Sequence, residues 1–342
     1  MAEDPPVVTR ASKPSIRPNR WQPPKAPPRA RQRRSAEPVR LSVINLPGYG
    51  AEDVVMDRDG RVIGGLKDGR IVRITPDTGA VQTLANTHGR PLGLELHPDG
   101  WLIVCDSFRG LLRVDLDTGE VRTLLHRNGG QEMTFCSNAV LARDGSIYFS
   151  ESSTRVYISH YAADVLEHSR TGRLSRLDPD GSVEILLDDL RFANGLVLAP
   201  DESWIAVAET AGYCITRVEL GGAQAGSRSE IVSNMPGFPD NMSRGSDGLL
   251  WVALEAPRNP LLDWMLPRPP IVRRIAWAMP DAVRPKEKRT VWVQAYRDDG
   301  ELVHDLQTEH DRFAAATGLV ERDGVVWAGS VHANTLARID LR

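Results

Sequence analysis

Short apolar runs alternate with polar turns along most of the chain from Leu41 onward. The runs are rich in Val, Ile, Leu and Trp, and the turns between them are built on Asp-Gly, Asp-Thr-Gly and Pro-Asp pairs. This pattern is typical of β-strands joined by tight turns, because glycine and aspartate accept turn conformations that branched residues avoid. The apolar period of a helix is rarely seen. We therefore expect an all-β fold.

One phrase of this pattern recurs, with an apolar strand, an Asp-Gly type of turn, and two further strands separated by a short turn. Six copies start at intervals of about 40 to 75 residues, at Asp57, His97, Ala142, Ala199, Gly245 and Glu321. A repeat of three to four strands at this period predicts a six-bladed β-propeller. The strand RLSVINL (40–46) is expected to add the outer strand of the last blade and so to close the ring. An α/β fold would need helical crossovers, which the short turns exclude.

The propeller is predicted to occupy residues 41–342, after a leader of residues 1–40. The leader contains nine of the 24 prolines and has no apolar period, so it is not expected to fold by itself. Two interpretations stay open: an extended strap on the propeller, anchored by Trp21, or a flexible linker.

Two insertions interrupt the repeats. Residues 156–169 have the pattern of a short helix within the third repeat. Residues 257–283, within the fifth, are rich in Leu, Trp and Pro and contain paired arginines. This second insertion is interpreted as a lid over the channel mouth, as a membrane-touching patch, or as a loop packed on the rim.

The aspartate of each turn gives the repeats a common origin, and the residues seven and six positions before it begin the innermost strand of each blade. In chain order these pairs are Glu52 and Asp53, Leu92 and Gly93, Ser137 and Asn138, Asn194 and Gly195, Asp240 and Asn241, and Ala316 and Thr317. In a propeller all six positions converge on one mouth of the central channel. Four blades therefore direct an oxygen-bearing side chain at one axis, from Glu52, Asn138, Asn194 and Asp240.

Carboxylate and amide oxygens without Cys or His suit Ca²⁺, which takes six to eight oxygen ligands. Another divalent ion such as Mg²⁺ is possible but prefers a tighter octahedral site. The alternative is that each of these side chains only caps its own loop.

Charge and composition narrow the class of protein. The net charge is −3, but residues 1–40 carry +7, so the remainder is acidic and argues against a nucleic-acid surface. The three cysteines, Cys105, Cys136 and Cys214, match no zinc spacing and favour a reducing compartment. No apolar run has the length of a signal peptide or a membrane span, so a cytoplasmic location is expected. Zincin, serine-hydrolase and phosphate-loop motifs are absent from the sequence.

Several blocks resemble the strictosidine-synthase-like proteins, within the superfamily of SMP-30, gluconolactonase and paraoxonase six-bladed propellers. They are LPGYGAEDVVMDRDG, FSESS, LRFANGLVLAPDESWIAVAET and MPGFPDNMSRGSDGLLWVAL. The resemblance implies a catalytic calcium held by Glu52, Asn138, Asn194 and Asp240, with Asn241 beside it as in paraoxonase-like members. In several hydrolytic members the aspartate that corresponds to Asp240 is also proposed as base or nucleophile. The plant synthase instead uses a glutamate at the entry to its last blade, where this sequence reads AAATGLV (314–320).

The first functional hypothesis is a calcium-dependent hydrolase that opens a lactone or a related ester as its small-molecule substrate. Asp240 would activate water or attack the carbonyl itself, and His332 is a candidate for assisting it, because calcium weakens a bound carboxylate as a base. Phe192 and Phe238 would wall an apolar pocket, although packing between blades explains them nearly as well. Two alternatives remain, a non-catalytic binding propeller with structural calcium and an amine–aldehyde condensing enzyme. The latter needs a replacement acid such as Glu209.

Overall fold

The structure is a computed structural model that describes residues 13–35, 38–280 and 289–341. Six four-stranded antiparallel sheets form its body. The first blade contains β2 (Val54–Met56), β3 (Val62–Gly65), β4 (Arg70–Thr75) and β5 (Ala80–Asn86). The second contains β6 (Pro91–Leu96), β7 (Trp101–Asp106), β8 (Gly110–Asp115) and β9 (Val121–Leu125). A small hairpin of β10 (Arg127–Asn128) and β11 (Gln131–Glu132) follows it.

The other blades repeat this order. The third contains β12 (Cys136–Leu141), β13 (Ile147–Glu151), β14 (Gly172–Leu177) and β15 (Val183–Leu190). The fourth contains β16 (Ala193–Leu198), β17 (Trp204–Glu209), β18 (Cys214–Glu219) and β19 (Arg228–Val232). The fifth contains β20 (Gly237–Arg244), β21 (Leu250–Pro257), β22 (Val291–Tyr296) and β23 (Leu302–Thr308). The sixth contains β24 (Leu319–Arg322), β25 (Val325–Ala328), β26 (Thr335–Asp340) and, as its outer strand, β1 (Arg40–Asn45).

The blades close into a ring, which confirms the predicted six-bladed propeller. The first strand of each blade contacts the first strand of the next, and the last of them, β24, contacts β2. Strand β1 pairs with β26 from Arg40 opposite Asp340 to Asn45 opposite Thr335, so the predicted closing strand is also confirmed. Buried apolar clusters lie between successive blades all round the ring, each combining residues of two neighbours. Burial between sheets therefore holds the ring together.

Glycine lets the inner strands approach each other closely. A Cβ atom on Gly195 would lie 2.3 Å from the backbone nitrogen of Met242 and 2.5 Å from Cα of Asn241 in the next blade. A Cβ atom on Gly93 would likewise lie 2.6 Å from Cα of Asn138 in the third blade. Backbone atoms cannot rotate away as a side chain does, so these positions exclude any other residue.

The substitution Gly195→Ala is expected to destabilise the fold by about 3 kcal/mol or more, because the added methyl group would force two blades apart. Denaturant unfolding measures the change. Gly221→Ala is the matched control, since a Cβ there meets nothing within 4 Å, and it should leave the unfolding midpoint within about 0.5 kcal/mol. Equal stability of the two variants would contradict this account of the packing.

Both insertions contain helices that form a cap, defined here as residues 156–169 and 257–280. In the first, a 3₁₀ turn (Ile158–His160) leads into α1 (Tyr161–Glu167). The second holds α2 (Pro260–Met265) and α3 (Pro270–Ala278), so it is helical and not a loop, and residues 281–283 lie outside the described part of the chain. Asn259 caps α2 by accepting hydrogen bonds from the backbone N–H groups of Leu261 and Leu262.

Residues 13–35 of the leader lie along this cap and the edge of the fifth blade. The backbone N–H of Asn19 donates to the carbonyl of Glu167 in α1, at 2.8 Å, and that of Trp21 donates to Leu266, at 3.2 Å. The Trp21 ring stacks on His168 with 4.4 Å between ring centroids, and Arg29 pairs with Asp305 of β23. This part of the leader, which holds one short 3₁₀ turn (Pro28–Arg31), therefore has the contacts of a strap. Residues 1–12 and 36–37 lie outside the described chain.

The helices are short. Within the described ranges none of them has both the length and the apolar character needed to cross a bilayer.

Candidate metal and substrate site

A β-bulge sits at the same place in the inner strands of blades two to five. In β20, Pro239 pairs with Leu254 and Met242 with Val252, so one extra residue is accommodated between them. The same irregularity occurs in the other three inner strands, between Pro91 and Leu94, between Cys136 and Ala139, and between Ala193 and Leu196. A bulge re-aims side chains that regular pleating would send into the sheet. The bulged residues are the ones that lie seven and six positions before the turn aspartate in the sequence. This placement explains why poor strand formers occur there.

As predicted, Glu52, Asn194, Asp240 and Asn241 lie in one buried cluster, to which bulged strands contribute the last three and the segment before β2 contributes Glu52. Asn241 donates from Nδ2 to Oε1 of Glu52 at 2.8 Å, across the ring from the fifth blade to the first. Asn194 donates from Nδ2 to Oδ1 of Asp240 and to the Thr210 hydroxyl, the latter at 3.2 Å. Each carboxylate is thus oriented by the amide of a different blade.

The cluster has more negative charge than its surroundings neutralise. Burial, followed by repulsion from Asp53, raises the pKa of Glu52 to about 8. Burial and repulsion from Glu52 and Glu255 raise the pKa of Asp240 well above its usual range. Arg90 is the cation that lowers the pKa of Glu52. An additional positive charge is what such a group of carboxylates lacks.

Two oxygens of the cluster have no hydrogen-bond partner within the described part of the chain, Oε2 of Glu52 and Oδ1 of Asn241. Buried polar atoms are seldom left this way, because each costs roughly 1–3 kcal/mol. Unpartnered oxygens beside under-neutralised carboxylates are the surroundings that a hard cation requires. The chemistry of these residues therefore fits Ca²⁺, for which two carboxylates and two amides would be available, the oxygen of Asn194 being shared with the Ser137 hydroxyl. Among the described residues no three His, Cys, Asp or Glu side chains are grouped so that they alone could hold a metal ion, so the fit depends on the amides.

Asn138 makes hydrogen bonds to two other blades. Its Oδ1 accepts the backbone N–H of Leu196 in the fourth blade at 3.1 Å, and its Nδ2 donates to Oδ2 of Asp53 at 3.3 Å. The amide oxygen of Asn138 is thus already engaged in joining two blades, just as the amide oxygen of Asn194 already accepts the Ser137 hydroxyl at 3.0 Å. A contact of Asn138 with a metal stays a prediction. Only the second lone pair of its amide oxygen would be available for that contact.

Asp53 joins blades in the same way and was not selected from the sequence as a site residue. Its carboxylate accepts the backbone N–H groups of Val54 and Leu94, at 2.9 and 3.1 Å. Burial raises its pKa to about 7. The signal that could have identified Asp53 is its place directly after Glu52, six positions before the turn aspartate.

Arg90 was also missed by sequence reasoning. It is buried, donates to the carbonyl of Gly50 at 2.8 Å, and stands close enough to Glu52 to affect its pKa. The second blade has Leu92 and Gly93 where other blades have polar side chains. Its charged side chain near the cluster is therefore Arg90, two residues before Leu92. No motif marks an arginine in that place.

His332 lies in the loop between β25 and β26, and its side chain is exposed. Its backbone N–H donates to the Ser330 hydroxyl at 3.1 Å. The structure therefore does not bring His332 into the buried cluster with Asp240, because His332 lies on the exposed side of its loop, while Ser330 and Ala333 are buried. A catalytic role for His332 stays a prediction.

Phe192 and Phe238 are both buried near the cluster but face different parts of the cap. Phe192 packs against Phe135 at 5.4 Å, edge to face, in a group that includes Leu92 and side chains of α1. Phe238 packs against Tyr213 at 5.2 Å and against α2. The two rings thus form apolar contacts between the bulged strands and the cap, as expected for the walls of a covered site.

The cluster is buried. The side chains of Glu52, Asp240, Asn194 and Asn241 are at most 6% exposed. A cleft of about 430 Å³ lies elsewhere, between the strap at residues 32–34 and the fifth blade at residues 307–311, and none of the cluster residues line it.

Known proteins share both the sequence and the fold. The model of the SMP-30/gluconolactonase/LRE-like region matches residues 65–258, and that of the N-terminal region of strictosidine-synthase-like proteins matches residues 40–74. The adipocyte plasma membrane-associated protein of Salmo salar is 35% identical over 74% of this chain and 64% of its own length. Its counterpart in Rattus norvegicus is 34% identical over 81% of this chain and 80% of its own length. Strictosidine synthase-like 6 of Arabidopsis thaliana is 29% identical over 90% of this chain and 82% of its own length.

Solved structures share the propeller at lower identity. A gluconolactonase from Xanthomonas campestris superimposes with a TM-score of 0.65 at 19% identity, over 97% of this chain and 99% of that one. Regucalcin from Agrobacterium tumefaciens, described as a calcium-binding protein, has a TM-score of 0.61 at 14% identity, over 89% and 96%. At these identities the likeness extends to the fold alone. The match of the family model to more than half of the chain shows more: this protein belongs to the SMP-30/gluconolactonase/LRE-like family.

Proposed function

We propose that the protein is a calcium-dependent hydrolase of a lactone or a related ester. The observation that carries the proposal is the pair of unpartnered oxygens, on Glu52 and Asn241, within a buried cluster that lacks positive charge. The solved gluconolactonase of similar fold and the calcium-binding regucalcin support the substrate class and the ion.

The chain's own residues would divide the work as follows. Glu52, Asp240, Asn194 and Asn241 would hold the ion, and Arg90 would partly balance the charge when it is absent. A calcium ion bound there supplies Lewis-acid polarisation of a carbonyl group.

Asp240 is the candidate base or nucleophile. As a base it would take a proton from water while the water oxygen adds to the carbonyl carbon, and return it to the leaving alkoxide as the C–O bond breaks. Asn194 and Glu52 would be positioning groups, the first through its hydrogen bond to Asp240. Phe192 and Phe238 would shield the reacting group from water.

The direct test is hydrolysis by the wild-type protein of γ- and δ-lactones, aryl esters and phosphotriesters, with Ca²⁺ and with EDTA. We expect turnover of a lactone or an ester that chelation abolishes and added Ca²⁺ restores. Turnover that chelation leaves unchanged would reject the calcium-dependent hydrolase.

A second candidate function is a binding propeller with structural calcium and no turnover. It is favoured by the burial of the cluster and by the relatives from salmon and rat, whose names give a location at the plasma membrane and no reaction. A calcium-dependent rise in melting temperature, together with no turnover of any substrate in the panel, would select it.

The amine–aldehyde condensing reaction has less support. It requires a replacement acid at the mouth, for which Glu209 was the candidate. In the structure Glu209 accepts the Thr216 hydroxyl at 2.6 Å through one oxygen and the backbone N–H of Arg191 at 2.9 Å through the other. Both oxygens of this carboxylate are therefore occupied in holding the fourth blade. The cytoplasmic location and the absence of a nucleic-acid partner stay predictions.

A further inference from the structure

The outer surface of the cap exposes an unusual amount of apolar area. Nine large apolar side chains are exposed in the described part of the chain, and five of them lie within residues 261–279. These five, each 45–60% exposed, are Leu261, Trp264, Ile271, Ile275 and Met279. We call them the cap face. Scattered apolar residues on a surface need no explanation, but a concentration of this kind marks a docking surface.

Helix α3 exposes two isoleucines on one side, while Val272, Ala276 and Trp277 pack inward. Ile271 and Ile275 are one helical turn apart and exposed, whereas Arg273 on the opposite side is completely buried. The Arg273 guanidinium donates to the carbonyls of Leu166 at 2.8 Å and Asn19 at 2.6 Å. A helix on a soluble surface normally keeps its arginines in water and its isoleucines covered, so the burial of Arg273 beneath two exposed isoleucines is unusual. Carbonyl groups of α1 and the strap thus hold α3 in an orientation that leaves its isoleucines uncovered.

The charges around the cap face are positive. Residues 259–280 contain three arginines and one acid, in a chain whose net charge is −3. Arg268 lies over the Trp264 ring at 3.7 Å, Arg274 is exposed beside the isoleucines, and Lys13 of the strap lies over the Trp277 ring at 4.5 Å. The acid, Asp263, points inward and accepts the Tyr213 hydroxyl at 3.0 Å.

We propose that the cap face docks on the surface of an anionic lipid bilayer. Helices with an apolar stripe, a tryptophan and flanking arginines lie in the headgroup region, with their apolar side chains among the acyl chains. The six and nine residues of α2 and α3 are too short to span a bilayer, so the contact is peripheral. A second copy of the chain is a poorer occupant, because a two-fold contact would set Arg268 and Arg274 of each copy against those of the other.

The location of the cap face gives this docking a consequence for the channel. Its outer residues Leu261 and Trp264 share helix α2 with Leu262 and Met265, which pack beneath on Phe238. Phe238 is two residues from Asp240. A bilayer held at this surface would therefore lie directly outside the covered cluster.

The test is sedimentation of the full-length protein with vesicles of phosphatidylcholine alone and of phosphatidylcholine with 30% phosphatidylserine. We expect binding to the anionic vesicles to exceed binding to the neutral ones by about tenfold or more, and to weaken with salt. The double variant Ile271→Ser, Ile275→Ser should lose about tenfold or more in partition coefficient, because two exposed apolar groups no longer enter the bilayer. Arg274→Glu should lose the preference for phosphatidylserine.

The matched control is Leu302→Ser, Val303→Ser, which removes two exposed apolar residues from the outer strand of the fifth blade and should bind as the wild type does. All variants should keep the wild-type melting temperature, since the changed side chains are exposed. Absence of vesicle binding by the wild type would overturn the proposal, as would equal losses in the two double variants. Concentration-dependent dimerisation that disappears in the Ile271→Ser, Ile275→Ser variant would reassign the face to a self-contact. None of these readings depends on the hydrolase activity.

Discussion

The substitution Asp240→Asn is expected to reduce kcat/KM for the best lactone or ester by about a thousandfold or more at saturating Ca²⁺. Asparagine keeps the size of the side chain and an oxygen for the hydrogen bond from Asn194. It cannot take a proton from water or attack a carbonyl. Loss of a general base typically costs 10²- to 10⁴-fold, and the loss of a charged ligand adds to it.

The matched control is Asp247→Asn, the same chemical change in the turn of the same blade. Asp247 is exposed and accepts the backbone N–H of Leu249 at 2.9 Å, so its replacement tests the general effect of the change on the fifth blade. We expect kcat/KM within about threefold of the wild type for this control. An Asp240→Asn variant with wild-type kcat/KM would remove Asp240 from the chemistry.

The same variant separates two roles of Asp240. If Ca²⁺ still raises the melting temperature of Asp240→Asn while turnover is lost, the carboxylate acts in proton transfer or attack. If both the melting shift and turnover are lost, its main role is to hold the ion.

The second large effect concerns stability. Saturating Ca²⁺ is expected to raise the melting temperature of the wild type by about 5 °C or more, because an ion bound only by the folded state at 100 times its Kd adds about 2.7 kcal/mol. The substitution Glu52→Gln should abolish this rise. It removes a charge and the unpartnered Oε2, while an amide oxygen can still accept from Asn241 at the place of Oε1.

Glu209→Gln serves as its control, because Glu209 is equally buried but has both oxygens in hydrogen bonds away from the cluster. This control should melt below the wild type with and without the ion, and keep the full calcium response. Differential scanning fluorimetry in EDTA and in Ca²⁺ measures both variants. A wild-type protein whose melting temperature does not respond to calcium would contradict the metal site, and a Glu52→Gln variant that responds fully would remove Glu52 from it.

The strap and the cap connect these two predictions to the docking proposal. Side chains of α2 and Trp21 pack in one apolar cluster with Phe238, two residues from Asp240, and the Trp21 ring stacks on His168. Burial lowers the pKa of His168 to about 3, with nearby arginines acting in the same direction, so this ring is neutral where it stacks on Trp21. The stacking contact is thus apolar in character and independent of pH in the neutral range.

Sequence alone was sufficient for the fold and for the position of the site. Six turns with a common spacing define six blades, and strand 40–46 has no partner except the last blade. The turns also align the six repeats with one another, and Glu52, Asn194 and Asp240 occupy the same position in that alignment. Such periodic signals survive in a sequence because each blade must bury the same faces against its neighbours.

Only the tertiary structure decided which oxygens remain available. The oxygen of Asn138 accepts a backbone N–H from the next blade and that of Asn194 accepts the Ser137 hydroxyl, whereas Oδ1 of Asn241 has no partner among the described residues. Asp53 proved to join blades as well. Arg90 contributes a positive charge from a position that the alignment of the repeats does not mark. His332 proved to be exposed. The physical reason is that a side chain's free lone pairs depend on the neighbouring blade and on a bulge of one residue, and neither is written in the local sequence.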